Sequence, residues 1–140
     1  MLNALDISTS GLVAQRQRLN AITSNIANLS TVVNEDGEVK AYQPKYVVFQ
    51  TDEDAAYPTG SAGVKVASVE QEAVDPLYKY QPNHPLAIQE GRWAGYVPYP
   101  NINLQREMVD ALEATRAYEA NIGVIEATNA MGEQTLRILV

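Results

Sequence analysis

Cysteine is absent from this chain of 140 residues. That excludes disulfides, a thiol nucleophile, zinc–thiolate sites and cysteine-ligated iron–sulfur clusters. Histidine occurs once, as His84 in the turn Pro82-Asn83-His84-Pro85. A lone histidine in a proline turn, with no nucleophile on a strained elbow, leaves no triad to assemble. There is no GxGxxG fingerprint and no P-loop. Glu70 and Glu72 are the nearest thing to a carboxylate pair, but their run reads as a solvated strand face. Asp52, Glu53 and Asp54 lack the spacing and glycine of a calcium loop, so the acidic stretch 51–55 reads as an exposed loop. Catalysis, a metal and a cofactor are all unexpected.

Long apolar runs are missing too. None approaches the ~18 residues of a transmembrane helix. The opening Met1–Asp6 lacks the basic start and continuous apolar stretch of a secretory signal. Basic charge is scarce: ten Lys and Arg against seventeen Asp and Glu leave a net charge of −7. Most of the excess lies in 34–54, with Glu35, Asp36, Glu38, Asp52, Glu53 and Asp54 against Lys40 and Lys45. No basic stripe exists to neutralise phosphates, so nucleic acid is not an expected partner. An anionic membrane repels such a surface, and membrane insertion is not expected.

What the chain has is a seven-residue apolar repeat at each end. Leu5, Leu12, Leu19 and Ile26 fall seven apart, with Ile22 and Leu29 beside them. Leu104, Ala111, Tyr118, Ile125, Gly132 and Leu139 repeat the interval, and Met108, Thr115, Ile122, Asn129 and Leu136 follow four residues behind. Such a repeat marks helices that wind together. The spacing predicts a helix over 4–28, weakened near Gly11, and a second over 102–139 capped by Asn101 or Asn103. Arg106 with Asp110, and Arg116 with Glu113 and Glu119, are spaced for ion pairs along the second helix.

Between them, 30–101 reads as a β-rich insertion. Tyr46–Phe49, Val64–Val69 and Leu77–Tyr80 are strand candidates. Proline and glycine punctuate 81–101 too densely for a helix. Trp93 and tyrosines 78, 80, 96 and 99 are candidates for its core. The expected architecture is α+β. Segments 1–29 and 102–140 form one coiled-coil-like helical unit, with 30–101 inserted between them.

Length carries the argument further. A helix of about 37 residues is roughly 55 Å long, whereas a compact domain of this size has a radius of gyration near 15 Å. The helix outruns any local core, and its stripe needs cover from another molecule. Thr115, Asn129 and Gly132 interrupt the seam where Leu or Ile is more stabilising, and small residues line several faces. That pattern suits a multi-chain bundle. The expected packing residues are Leu5, Leu12, Leu19, Ile22, Ile26, Leu104, Met108, Ala111, Tyr118, Ile122, Ile125, Asn129, Leu136 and Leu139, with Asn129 and Asn25 setting register. A closed coiled-coil module, or a plain antiparallel hairpin of the two helices, is the competing reading.

Several runs also carry a resemblance. Ala4–Ser8, Ser10-Gly11-Leu12 and Ser24-Asn25-Ile26-Ala27-Asn28 resemble the N-terminal signature of flagellar rod and hook proteins. Tyr99–Leu104, Glu107-Met108-Val109-Asp110 and Arg116-Ala117-Tyr118-Glu119-Ala120-Asn121 resemble the C-terminal one, with Asn101 in its first run. Intervening runs, among them Gly63–Val66, Pro82–Pro85 and Gly95-Tyr96-Val97, follow the pattern in order. The short length resembles the proximal-rod members. The loop 89–94 and the acidic 51–55 loop depart from the pattern. The resemblance implies an axial structural subunit of the bacterial flagellar basal body. It implies export through the flagellar type III channel without signal cleavage and assembly into the periplasmic rod that carries torque to the hook. Implied partners are further copies of the chain, other rod proteins, the adaptor at the rod base, and the MS ring or export gate.

Overall fold

The computed structural model describes residues 2–53 and 60–139, the side chains of Leu2 and Leu139 excepted. Asp54, Ala55, Pro58 and Thr59 of the expected acidic loop, and the Leu139 side chain, lie outside the described part. Two helices bracket four strands: α1 (Leu2–Ala27), β1 (Lys45–Asp52), β2 (Gly63–Gln71), β3 (Leu77–Tyr80), β4 (Tyr96–Tyr99) and α2 (Leu104–Leu139). The class is α+β, as the pattern of elements predicts.

The helices pack against each other as an antiparallel hairpin. Gly11 approaches Asn121, and Asn25 bonds Glu107, so residue n of α1 stands opposite residue 132 − n of α2. On α2 the covered positions include Ala111, Ala114, Tyr118, Asn121, Ile125 and Thr128, in alternating steps of three and four. Small side chains let the backbones close in. Ala14, Ala21 and Ala114 are buried, and a Cβ on Gly11 would lie 2.9 Å from the Asn121 amide nitrogen. Gly11 therefore neither frays nor kinks α1, which runs unbroken through it. It marks a close approach of α1 to the Asn121 side chain of α2.

Asn103 caps α2. Its Oδ1 accepts the Gln105 and Arg106 backbone N–H groups at 3.0 and 3.2 Å, relieving two donors of the first turn. The expected pairs within α2 do not form among the described residues. Asp110 and Glu113 turn across the hairpin to Arg18, at 3.6 and 3.4 Å. Arg18 sits on the covered face of α1, so it meets both carboxylates without leaving the interface.

The insertion holds two separate two-stranded antiparallel sheets, β1–β2 and β3–β4. In the first, Val47 pairs with Val69, Phe49 with Val66 and Thr51 with Val64, which places them all on one face. Val64, Val66 and Val69 do not alternate strictly, and a bulge at Ala67 absorbs the extra residue. Beside the second sheet, Val97 is fully buried with Val32 and Ala87. These three form the buried core of this part, and of the expected aromatics Tyr99 packs against it. Tyr78 and Trp93 stack at 4.1 Å with Tyr96 edge-on to Trp93, yet Trp93 keeps 38% and Tyr80 66% of its surface exposed. Gly95, at φ +83°, makes the turn that brings Tyr80 over its backbone.

Candidate assembly surface

The residues that position the helices relative to the strands meet at Asn25, which is 2% exposed. Its Nδ2 donates to the Lys45 carbonyl at 2.8 Å and to Glu107 Oε2 at 3.2 Å. Its Oδ1 accepts the Lys45 N–H at 2.8 Å and the Tyr42 hydroxyl at 3.3 Å. Ser24 Oγ lies 3.0 Å from that same hydroxyl. The four hydrogen-bonding positions of one amide are thus filled by α1's neighbours on three sides: β1, α2 and the 31–42 segment. Burial holds the Glu107 carboxyl above its ordinary pKa, against the lowering effect of the Asn25 bond, with Asp110 adding to the rise.

A second joint lies fifteen residues earlier. Ser10 Oγ donates to the Ile7 carbonyl at 2.7 Å and accepts the Val64 N–H at 3.1 Å. From Ser10 to Asn25, α1 rises roughly 22 Å; from Lys45 to Asp52, β1 rises roughly 23 Å. Helix and strand match in length, and each end of the β1–β2 hairpin is fastened to α1 through its backbone. The hairpin lies along α1 as a strut.

Asn28 ends α1 by donating Nδ2 to the Ser24 carbonyl at 2.8 Å while its Oδ1 accepts the Thr31 hydroxyl at 2.9 Å. Asn101 donates to the Asp75 carbonyl, tying the entry of α2 to the base of β3. Asn121 bonds the Ala117 carbonyl against Gly11. The motif asparagines are therefore joints of the fold. The polarity of Asn25 signals this in the sequence, but only the pairing of α1 with β1 shows what it holds.

The expected packing residues divide into two groups. Ile22 is buried, and Leu5, Leu12, Leu19, Ile26, Ala111, Tyr118 and Ile125 are partly covered. Leu104, Met108, Ile122, Asn129 and Leu136 stay exposed, with Met108 at 60% and Leu136 at 65%. Ala111, Tyr118 and Ile125 of the first heptad row thus close the internal hairpin, helped by a row at Glu107, Ala114, Asn121 and Thr128 that the repeat had not singled out. Glu119, Ala27 and Arg116 are exposed. Since α1 begins opposite about residue 130, α2 runs on alone for about nine residues, roughly 13 Å. Met131 and Ile138 are exposed on that overhang.

For chemistry there is little to assemble. Among the described residues no three His, Asp or Glu side chains gather to hold a metal. His84 is half-buried, and its Nδ1 accepts the Leu86 N–H at 3.1 Å, a turn-stabilising role. Glu70 is held below the ordinary carboxyl range by bonds from Ser68 and Tyr46. No described helix is long and apolar enough to cross a membrane.

Residues 5–32 match the family described as flagella basal body rod protein, and 94–138 match the flagellar basal body rod FlgEFG protein C-terminal family. The chain is 41% identical over 138 residues to the flagellar basal-body rod protein FlgC of Salmonella typhimurium, covering 99% of this chain and 97% of that one. It belongs to the flagellar basal-body rod protein family. The FlgC protein of Escherichia coli is 42% identical over 139 residues, and that of Borreliella burgdorferi 37% over 150, at the same coverage. In this rod-protein family member the two matched ends are the two halves of the helical hairpin. Ser24–Asn28 and Glu107, read as family motifs, meet at the Asn25 joint.

Proposed function

We propose that this chain is a structural subunit of the bacterial flagellar basal-body rod, and that it acts by packing and not by catalysis. The observation that carries the reading is near full-length similarity to FlgC rod proteins in a chain whose long helix keeps its large apolar residues outside its own hairpin. The helical segments 1–29 and 102–140 act as one packing unit, and 30–101 is carried on it. Leu104, Met108, Ile122, Asn129 and Leu136 face neighbouring subunits, as do the uncovered edges of Leu5, Leu12, Leu19 and Ile26. Heterologous contacts that do not close are what build a tube. Torque then passes through interlocked helices. The subunit takes its place in the periplasmic proximal rod after export through the flagellar type III channel without signal cleavage. There it meets other rod proteins, further copies of itself, the adaptor at the rod base, and the MS ring or export gate.

Ile122→Asp tests this. A carboxylate in the middle of the exposed row should abolish swimming while secretion of the subunit stays normal. Normal swimming by that variant sinks the packing role of the row.

A further inference from the structure

With Ala111 set at heptad position a, the internal seam of α2 occupies a and d. The exposed row Met108, Thr115, Ile122, Asn129 and Leu136 then occupies e. The next row, b, reads Gln105, Leu112, Glu119, Glu126, Glu133. Three carboxylates thus stand seven residues apart along the edge of the uncovered apolar row, all exposed. No ion pair to any of them is found among the described residues. Arg116 and Arg137 lie one row further round, at f.

A second copy of this chain is a poor complement to that edge. On α1 the half-covered leucine row is flanked by Thr9, Arg16 and Thr23. Arg18 is engaged by Asp110 and Glu113 of its own chain. Among the described residues of α1, Arg16 is then the one arginine without an ion pair in its own chain, against three carboxylates on α2. The α2 of a second copy presents the same acidic row, and like charges at close range oppose the contact. The chain's net charge of −7 adds to the repulsion between copies.

Resting on the rod reading above, we infer that the b/e face of α2 docks a helix of a different chain. That helix has an apolar seam bordered by Lys or Arg at seven-residue spacing, opposite Glu119, Glu126 and Glu133. The apolar row supplies cohesion, and the charge ladder selects the neighbour and its register.

The test replaces Ile122 of the full-length chain with p-benzoylphenylalanine in cells that build flagella. Basal bodies are purified after irradiation. The expected adduct joins this chain to a different protein, through a helical peptide with basic residues seven apart. Adding Glu126→Lys and Glu133→Lys should lower adduct yield at least tenfold; Glu→Gln at both sites should lower it less. The helix content of the purified double variants, matched to the parent, shows that folding is intact. An adduct of two copies of this chain, or a yield indifferent to charge reversal, overturns the inference. Absence of the unaltered chain from purified basal bodies overturns the rod reading beneath it.

Discussion

Replacing Asn25 with Ala should separate the strand pair from the helices. The side chain is 2% exposed, and four bonds end on it. Two of the partners recover: the Tyr42 hydroxyl keeps Ser24, and half-buried Glu107 turns toward water. The Lys45 N–H and C=O do not, because they point at the vacated space. A buried polar group left unpaired costs about 1–3 kcal/mol, so the pair costs roughly 3 kcal/mol after partial hydration. For a chain of this size that lowers the melting temperature by about 10 °C. Thermal unfolding of the purified chain reads the first quantity. Hydrogen exchange at the Lys45 amide reads the second, and exchange should accelerate there by about a hundredfold, the rate equivalent of 3 kcal/mol. Asn25→Asp should be no milder near neutral pH, since a carboxylate then faces the Lys45 carbonyl and Glu107. A loss below about 1 kcal/mol with unchanged Lys45 protection would refute the joint.

The other perturbations are simpler. Glu107→Gln should melt higher than the parent at pH 7. Burial raises the native pKa of Glu107, so its stabilising protonated form is lost as pH rises through that value. The gap should close on acidification into the ordinary carboxyl range; a lower melting point for the variant at pH 7 contradicts the burial argument. Gly63→Ala places a Cβ 2.7 Å from Ser10 Oγ and should break the bond to the Val64 N–H, raising exchange at that amide. Gly11→Ala meets only the end of the Asn121 side chain, and a gain in helix propensity of about 1 kcal/mol offsets the shift, so its melting point should barely move. Val97→Ala empties a fully buried site and should cost about 2 kcal/mol in denaturant unfolding; a cost under 0.5 would mean the site collapses.

The helices were legible because a heptad is a local pattern, repeated often enough to outvote Gly11 and Thr115. Its partition was less so. In the sequence, Met108 and Ile122 look like better seam residues than Ala114 and Asn121, since a stripe is scored by size. The fold inverts that choice: two helices that must also admit a strut close on small residues, and the large ones turn outward. Two of the aromatics misled for a related reason. Tyr80 and Trp93 have the area to fill a core, but Val97, Val32 and Ala87 lie where the 31–42 segment crosses β4, a contact no sequence period encodes. The polar joints were half legible. Asn25 stood out as a motif residue, whereas its grip on Lys45 depends on a strand laid along α1.

The inversion of large and small residues has an energetic consequence. Among the described residues, the buried apolar part of the two helices is mostly alanine, with Ile22 the one large buried aliphatic side chain. Alanine contributes little apolar area, so the hairpin alone gains only modestly from closing. Met108, Ile122 and Leu136 keep 60%, 36% and 65% of their surfaces exposed along one row. Covering that row recovers roughly half of a full side-chain burial at each, about 1 kcal/mol apiece and about 3 kcal/mol in all, with Leu104 and Leu112 adding to it. Contact with a neighbour is thus comparable to the effect of the whole Asn25 joint. On the packing proposed above, such a subunit would hold its shape through polar pins and gain much of its cohesion from assembly. Its helical hairpin should then be measurably more protected from hydrogen exchange in the assembled state than in the isolated chain.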